Sequence, residues 1–310
     1  MSLILTILGL ALFEIINSVD NAVINAEVLS KMSQKSRKWF LLWGVLLAVF
    51  LVRGLLPWII IWLTSGELTL WQALVATLSS SPEIHTLIEQ SAPPLLVGSG
   101  IFLIFLFLYW LFLEQKSYGL IGERFIHRHG LWFYTVASIV LTIIVWICIK
   151  INPIMALGAV IGSTGFFMVH GFKENAEAAE KEMLSGQGNL SDWSKIFYLE
   201  AIDACFSIDG VLGAFAFTLS VPLILIGNGI GAIVVRQLTI GNIDRVKQFV
   251  FLKNGAMYSI LVLGIIMILD SFGFQIPTWL SPLVTFIIIG YFFYKSVKQI
   301  SKLNSTVPSL

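Results

Sequence analysis

Glu14-Ile-Ile-Asn-Ser18-Val-Asp20-Asn21 and Asp203-Ala-Cys-Phe-Ser207-Ile-Asp209-Gly210 are the two stretches on which the reading of this chain turns. In each, an acid is followed by Ser four residues on and by Asp two residues after that. Each stretch also lies inside an apolar run of membrane-spanning length. Carboxylates near a bilayer centre cost about 2.5–3.5 kcal/mol each on insertion scales, so two matched clusters mark a functional site rather than chance polarity.

The rest of the composition fits a membrane setting. Of 310 residues, 57% are hydrophobic and only 12% charged, against roughly 25% charge in soluble globular domains. A hydropathy reading at about 20 residues per crossing predicts an all-α, polytopic transmembrane bundle of nine helices. These cover 3–29, 39–63, 95–113, 131–149, 154–172, 196–219, 222–240, 249–270 and 281–297. The start of the chain has no basic region and no small-residue cleavage site before Glu14, so its first apolar stretch is expected to be a retained helix. Cys148 and Cys205 fall in apolar runs with no partner at metal or disulfide spacing and read as packing residues.

Basic residues set the expected orientation. Lys31, Lys35, Arg37 and Lys38; Lys116, Arg124 and Arg128; Lys173, Lys181 and Lys195; Arg245 and Lys247; and Lys295, Lys298 and Lys302 all fall in alternate connections. The largest of the other connections, 64–94, carries Glu67, Glu83 and Glu89 and no Lys or Arg. The positive-inside rule then predicts an outer N-terminus and a cytoplasmic C-terminus. Because the basic residues are spread over short loops and form no basic face, nucleic acid is excluded as a partner.

With that orientation, the helix carrying Asp20 and the helix carrying Asp209 run in opposite directions. This is the arrangement of an inverted-topology repeat, with a site near the midplane where the repeats meet. The expected organisation is a first repeat over 1–113, linking helices and loops over 114–195, and an inverted second repeat over 196–310. A softer match extends it: Gly44 and Arg53 share their spacing with Gly227 and Arg236.

Helical periodicity places Glu14, Ser18, Asn21 and Asn25 within about 60° of one another, and likewise Glu200, Asp203, Ser207 and Gly210. Asp20 and Asp209 lie off those stripes in a regular helix. Each precedes a residue tolerant of left-handed backbone, Asn21 or Gly210. Two readings stand: the helix unwinds at the Asp and frees carbonyl oxygens as ligands, or it continues and the Asp pairs with a neighbour such as Arg53. Carboxylates, an Asn amide and Ser hydroxyls without His or Cys form an all-oxygen donor set, which suits magnesium, calcium or manganese over zinc or copper. Several carboxylates around one site repel when the cation leaves and take up protons, so cation binding coupled to proton release is the natural mechanism. Under the bland alternative, the acids pair with Arg53, Arg236 and Lys253 to hold helices together.

These residues, with Lys31-Met32, Arg37, Gly44 and Arg53-Gly-Leu-Leu-Pro57 after the first motif and Glu200-Ala-Ile-Asp203-Ala-Cys-Phe206-Ser207-Ile-Asp209 in the second, resemble the signature regions of the TerC family of integral membrane proteins. The resemblance covers about 14–60 and 199–240. That family is related to the LysE-type exporters and named for tellurium-resistance loci, and its members are implicated in manganese efflux and in loading manganese onto exported proteins. The resemblance implies metal-ion transport in a bacterial-type plasma (inner) membrane. Glu14, Asp20, Asn21, Asp203 and Asp209 match its acidic motifs, with Ser18, Ser207, Glu200 and Arg53 in support. The expected ligand is a transported divalent cation, manganese first and magnesium or calcium next, with no permanent cofactor. The expected partners are that ion and the lipid bilayer, an oligomer or a contact with secretion machinery being left open.

The rival from another class is a membrane scaffold or chaperone at the secretion machinery whose intramembrane acids are structural. An intramembrane metalloenzyme would want a nucleophile or metal-bound water with converging His or Glu partners; no such set is visible, so no enzyme activity is expected. His127-Arg-His129 does not present both rings on one face. Gly158, Gly162 and Gly165 read as a close helix-packing surface. Gly227, Gly229 and Gly231 around Asn228 read either as packing against the second motif helix or as a second bend, with packing the favoured reading.

Overall fold

The computed structural model describes residues 2–18, 22, 29, 32–44, 54–55, 58–59, 62, 69–78, 82–184, 191–241 and 247–306. Eleven α-helices carry the described chain: α1 Ser2–Asn17, α2 Gln34–Trp39, α3 Leu70–Leu78, α4 Pro82–Phe112, α5 Glu123–Arg128, α6 Trp132–Ile151, α7 Pro153–Leu184, α8 Asp192–Ala214, α9 Val221–Gly241, α10 Leu252–Ser271 and α11 Leu280–Thr306. A π-helical turn, Phe40–Gly44, continues α2. No β-strand occurs among the described residues.

Among those residues five helices are long and apolar enough to cross a membrane: Ala92–Phe112, Trp132–Ile151, Pro153–Asn175, Leu252–Ser271 and Leu280–Lys302. Of the nine predicted spans, these five are met among the described residues. Leu3–Asn17 and Val221–Gln237 are apolar but shorter, and most of 39–63 lies outside the described residues. The helix of the second motif, α8, is full length but too polar to count, because Asp192, Lys195, Glu200, Asp203 and Asp209 all fall within it.

The segment 64–94 departs from its reading as a loop. It holds α3 and the first turns of α4, which runs unbroken from Pro82 through Pro93 and Pro94. Hydropathy excluded this stretch because Glu83, His85, Glu89 and Gln90 are polar, but polarity governs depth in the membrane and not helix formation. In the connection 173–195 the Glu-, Ala- and Lys-rich stretch from Lys173 reads in the sequence as a solvated helix and a loop, and it is helical as far as Leu184, as the direct continuation of α7.

The span of α4 is 94% buried and that of α6 only 17%, so α4 is the central shaft and α6 a lipid-facing helix. Two glycine crossings bring neighbours against α4. A Cβ on Gly162 of α7 would overlap the Gly98 carbonyl, one on Gly158 would overlap that of Pro94, and one on Gly100 would come within 2.9 Å of the Gly264 carbonyl in α10. Backbones can approach this closely only where side chains are missing, as is common between membrane helices. Next to this crossing, Phe166 packs edge-on against Phe102 and Phe105, with ring centroids 5.9 and 5.8 Å away. The same buried cluster includes Leu10, Phe13, Val211 and Ile224, which join α1, α8 and α9 to the core.

Candidate functional site

The first motif lies at the end of α1, whose inner face carries Leu10, Phe13 and Glu14, each at most 2% exposed. A carboxylate this deeply buried is costly unless it is hydrogen-bonded or paired. Ser18 Oγ donates to Glu14 Oε1 at 2.6 Å, so the predicted Glu14–Ser18 stripe is realised one helical turn apart. Ser18 N also donates to the Glu14 carbonyl, and Ala22 N to the Ser18 carbonyl.

Two glycines form the walls around Glu14. A Cβ on Gly231 of α9 would stand 2.6 Å from Glu14 Cβ and 2.7 Å from its Cγ. On the α8 side, a Cβ on Gly210 would stand 3.1 Å from Glu14 Oε2 and 3.7 Å from Asn17 Nδ2. Side chains at either position would fill the space that the carboxylate occupies. The contacts also give chain directions. Phe13 meets Gly213 and Glu14 meets Gly210, so α1 and α8 run antiparallel; Leu10 meets Gly227 and Glu14 meets Gly231, so α1 and α9 run parallel.

In the second motif, α8 is continuous through Ser207-Ile-Asp209-Gly210. Of the two readings of that motif the unbroken helix holds, and no carbonyl is freed there by unwinding. Gly210 faces Glu14, so Ser207, one turn earlier, shares that face, whereas Asp209 is turned about 100° from Gly210. Asp209 is nevertheless buried, at 5% exposure, and Ser207 at 1%. Glu200, further toward the start of α8, points at the π-turn, where a Cβ on Gly44 would overlap its Oε1. Such turns are frequent where a helix deviates for function. Asp203 lies on the α8 backbone between these residues, and its side chain is outside the described residues, as are Asp20, Asn21 and Arg53 altogether.

One contributor was missed in the sequence. Asn228 of α9 is fully buried, and among the described residues neither its Oδ1 nor its Nδ2 has a hydrogen-bond partner; the same is true of Ser207 Oγ. Buried polar groups are nearly always satisfied, and those that are not call for an explanation such as an ion or water. The signal was present as a lone amide within Gly227-Asn228-Gly229 of an apolar helix, but the glycines drew the reading toward packing. Gly227 and Gly231 do pack, but against Leu10, Ala11 and Glu14 of α1 and not against the second motif helix. Among the described residues no three His, Cys, Asp or Glu side chains lie together at metal-binding distance. Glu14 and Ser18 on α1, Ser207 on α8 and Asn228 on α9 are the buried or half-buried oxygen donors described on these three mutually packed helices.

The entrance of α8 is tied to α2. Ser33 and Ser191 each cap a helix, accepting from Ser36 N and Ser194 N, and Ser33 N donates to Asp192 Oδ2 at 3.1 Å. Trp39 and Trp193 meet edge-on with centroids 5.1 Å apart. Hydrogen bonds from Ser33 and Ser36 hold the Asp192 carboxyl below the usual aspartate range.

A further buried carboxylate, Glu123, lies in the connection between α4 and α6. It is 2% exposed and accepts from Gly119 N (2.7 Å), Leu120 N (3.0 Å), Asn254 Nδ2 (3.2 Å) and Tyr258 Oη (2.9 Å). With every lone-pair direction answered from the protein, this carboxylate latches the connection onto α10 and is structural. Lys116 donates to the Trp110 and Leu111 carbonyls at the end of α4 and so caps that helix.

A family model described as "Protein of unknown function (DUF475)" matches residues 19–302, and the chain belongs to that family. Neither the curated proteins nor the solved structures hold a match to it.

Proposed function

We propose that this protein is a transporter of divalent metal ions, manganese efflux being the expected activity, and that the ion passes through the junction of α1, α8 and α9. The observation that carries the reading is the buried Glu14 carboxylate between Gly210 and Gly231, with the unsatisfied oxygens of Ser207 and Asn228 on the same two partner helices. A hard divalent cation would take up such oxygens. Asp209 and, by their motif positions, Asp20, Asn21 and Asp203 complete the proposed ligand set, with Glu200 and Arg53 in support. The antiparallel packing of α1 on α8 supports an inverted repeat, and the loop charges support an outer N-terminus and a cytoplasmic C-terminus in a bacterial-type plasma membrane. The resemblance to the TerC family supports manganese over magnesium or calcium.

Metal content of cells lacking or overproducing the protein, measured across several metals, tests the reading. Overproduction should lower cellular manganese, and Glu14→Gln, Asp20→Asn and Asp209→Asn should each abolish that effect at unchanged protein level. If all three variants lower manganese as the parent does, the acids are structural and a scaffold at the secretion machinery takes the transporter's place.

A further inference from the structure

Away from the glycine-walled site, the 113–131 connection between α4 and α6 turns apolar side chains outward. Ile121 is fully exposed, and Phe125 is 68%, Leu131 85% and Trp132 60% exposed. Gly122 takes a left-handed φ of 100°, a conformation that favours glycine, and leads the chain into α5 with Ile121 outside it. Within α5, Phe125 is turned about 200° from the buried Glu123, and Arg124 and Arg128 about 100° and 140°. One outward sector therefore holds an aromatic ring beside two guanidinium groups.

This sector does not stand off in water. Glu123 fastens the connection to Asn254 and Tyr258 of α10, and Ile126 packs against Phe107, Trp110 and Leu111 in the last turns of the α4 span. The α6 span begins at Trp132, so α5 lies at the level where two spans leave the membrane. Arg124 and Arg128 are exposed, Arg124 5.4 Å from the Tyr118 ring centroid, and neither is paired with an acid among the described residues. Both acids of the connection are engaged, Glu114 with Lys253 and Glu123 with its four donors. A surface that matches both parts has an apolar interior beneath an anionic layer.

We propose that α5 is an interfacial helix docked on anionic phospholipid, with Ile121 and Phe125 sunk among the lipid chains and Arg124 and Arg128 on the headgroup phosphates. Amphipathic helices that carry aromatic and basic residues lie in the interface in this way, and each basic residue near an anionic leaflet strengthens the attraction. An isologous contact with a second copy of the chain would instead set the same arginines against each other. The proposal stands apart from the transport reading and needs only that α4 and α6 span the membrane.

The test uses the full-length protein with Cys148 and Cys205 replaced by alanine and a bimane probe on Ile121→Cys or Phe125→Cys, in phosphatidylcholine vesicles with a minor share of phosphatidylglycerol. Doxyl groups on the lipid chains should quench both probes, and aqueous acrylamide should not. At equal content, doxyl-phosphatidylglycerol should quench more than doxyl-phosphatidylcholine. Arg124→Gln/Arg128→Gln should weaken that preference by about fivefold for each arginine neutralised. Arg124→Lys/Arg128→Lys should keep it, and Lys35→Gln/Lys38→Gln, the same charge change on α2, should leave it intact. The proposal fails if acrylamide reaches the probes and the lipid chains do not, as in a solvated loop, or if neither reaches them, as under a second copy. It fails equally if the two doxyl lipids quench alike, or if both glutamine pairs lower the preference to the same extent.

Discussion

Gly231 of α9 and Glu14 of α1 are locked together at backbone distance: a methyl group on Gly231 would come within 2.6 Å of Glu14 Cβ and 2.8 Å of the Ala11 carbonyl. Neither atom is the far end of a flexible chain, so the contact cannot be relieved by a rotamer change. The carboxylate is thus positioned by an absence of side chain on its neighbour, and the α1–α9 spacing is part of the site.

Gly231→Ala should therefore separate α1 from α9 and lower stability by about 1–3 kcal/mol, the usual cost of overpacking. Thermal unfolding of the purified protein measures it, and metal efflux should fall in parallel. An unchanged Tm would show that the two helices can part freely.

Asn228 should behave in the opposite sense. An unsatisfied buried amide costs about 1–3 kcal/mol, so Asn228→Leu should hold or raise the Tm while reducing metal transport. Wild-type transport by a stabilised Asn228→Leu protein would remove Asn228 from the ion site.

Glu123→Ala leaves two backbone N–H groups, the Asn254 amide and the Tyr258 hydroxyl without their shared acceptor. Breaking a buried charged network of this kind costs about 3–5 kcal/mol. Limited proteolysis should then cut within 113–122, where the parent is protected. Equal resistance in both proteins would show that Glu123 does not latch the connection.

Burial beside α4 lowers Lys116 to about 8 from the ordinary lysine value of 10.5; Glu123 and Glu114 oppose the shift and Lys253 adds to it. Between those two values the unfolded chain binds more protons than the folded one, so stability rises with pH across that window. The Tm of the parent minus that of Lys116→Met should increase from pH 8 to pH 10.5. A flat difference would mean that the amine is fully solvated.

Topology is read with cysteine probes. A probe at Ser36 should be protected from impermeant reagents in intact cells, and one at Thr69 should react. The reverse pattern would overturn the orientation.

The local order of polar residues was enough to identify α1 and α8 as the motif helices, because a 3.6-residue period and the cost of polar groups in lipid both act along a single segment. The Glu14–Ser18 hydrogen bond and the continuity of the α8 stripe at Ser207 and Gly210 follow from that period alone. Hydropathy went astray at 64–94, where helices form from residues too polar to count as spans. Tertiary structure decided which glycines face Glu14, that Asp209 stays off the Gly210 face, that Asn228 is buried without a partner among the described residues, and that Glu123 between α4 and α6 is sealed by α10. Each of these depends on how far two helices separated in sequence approach and how they are rotated about their axes. Packing sets those quantities, and a pattern within one helix does not contain them.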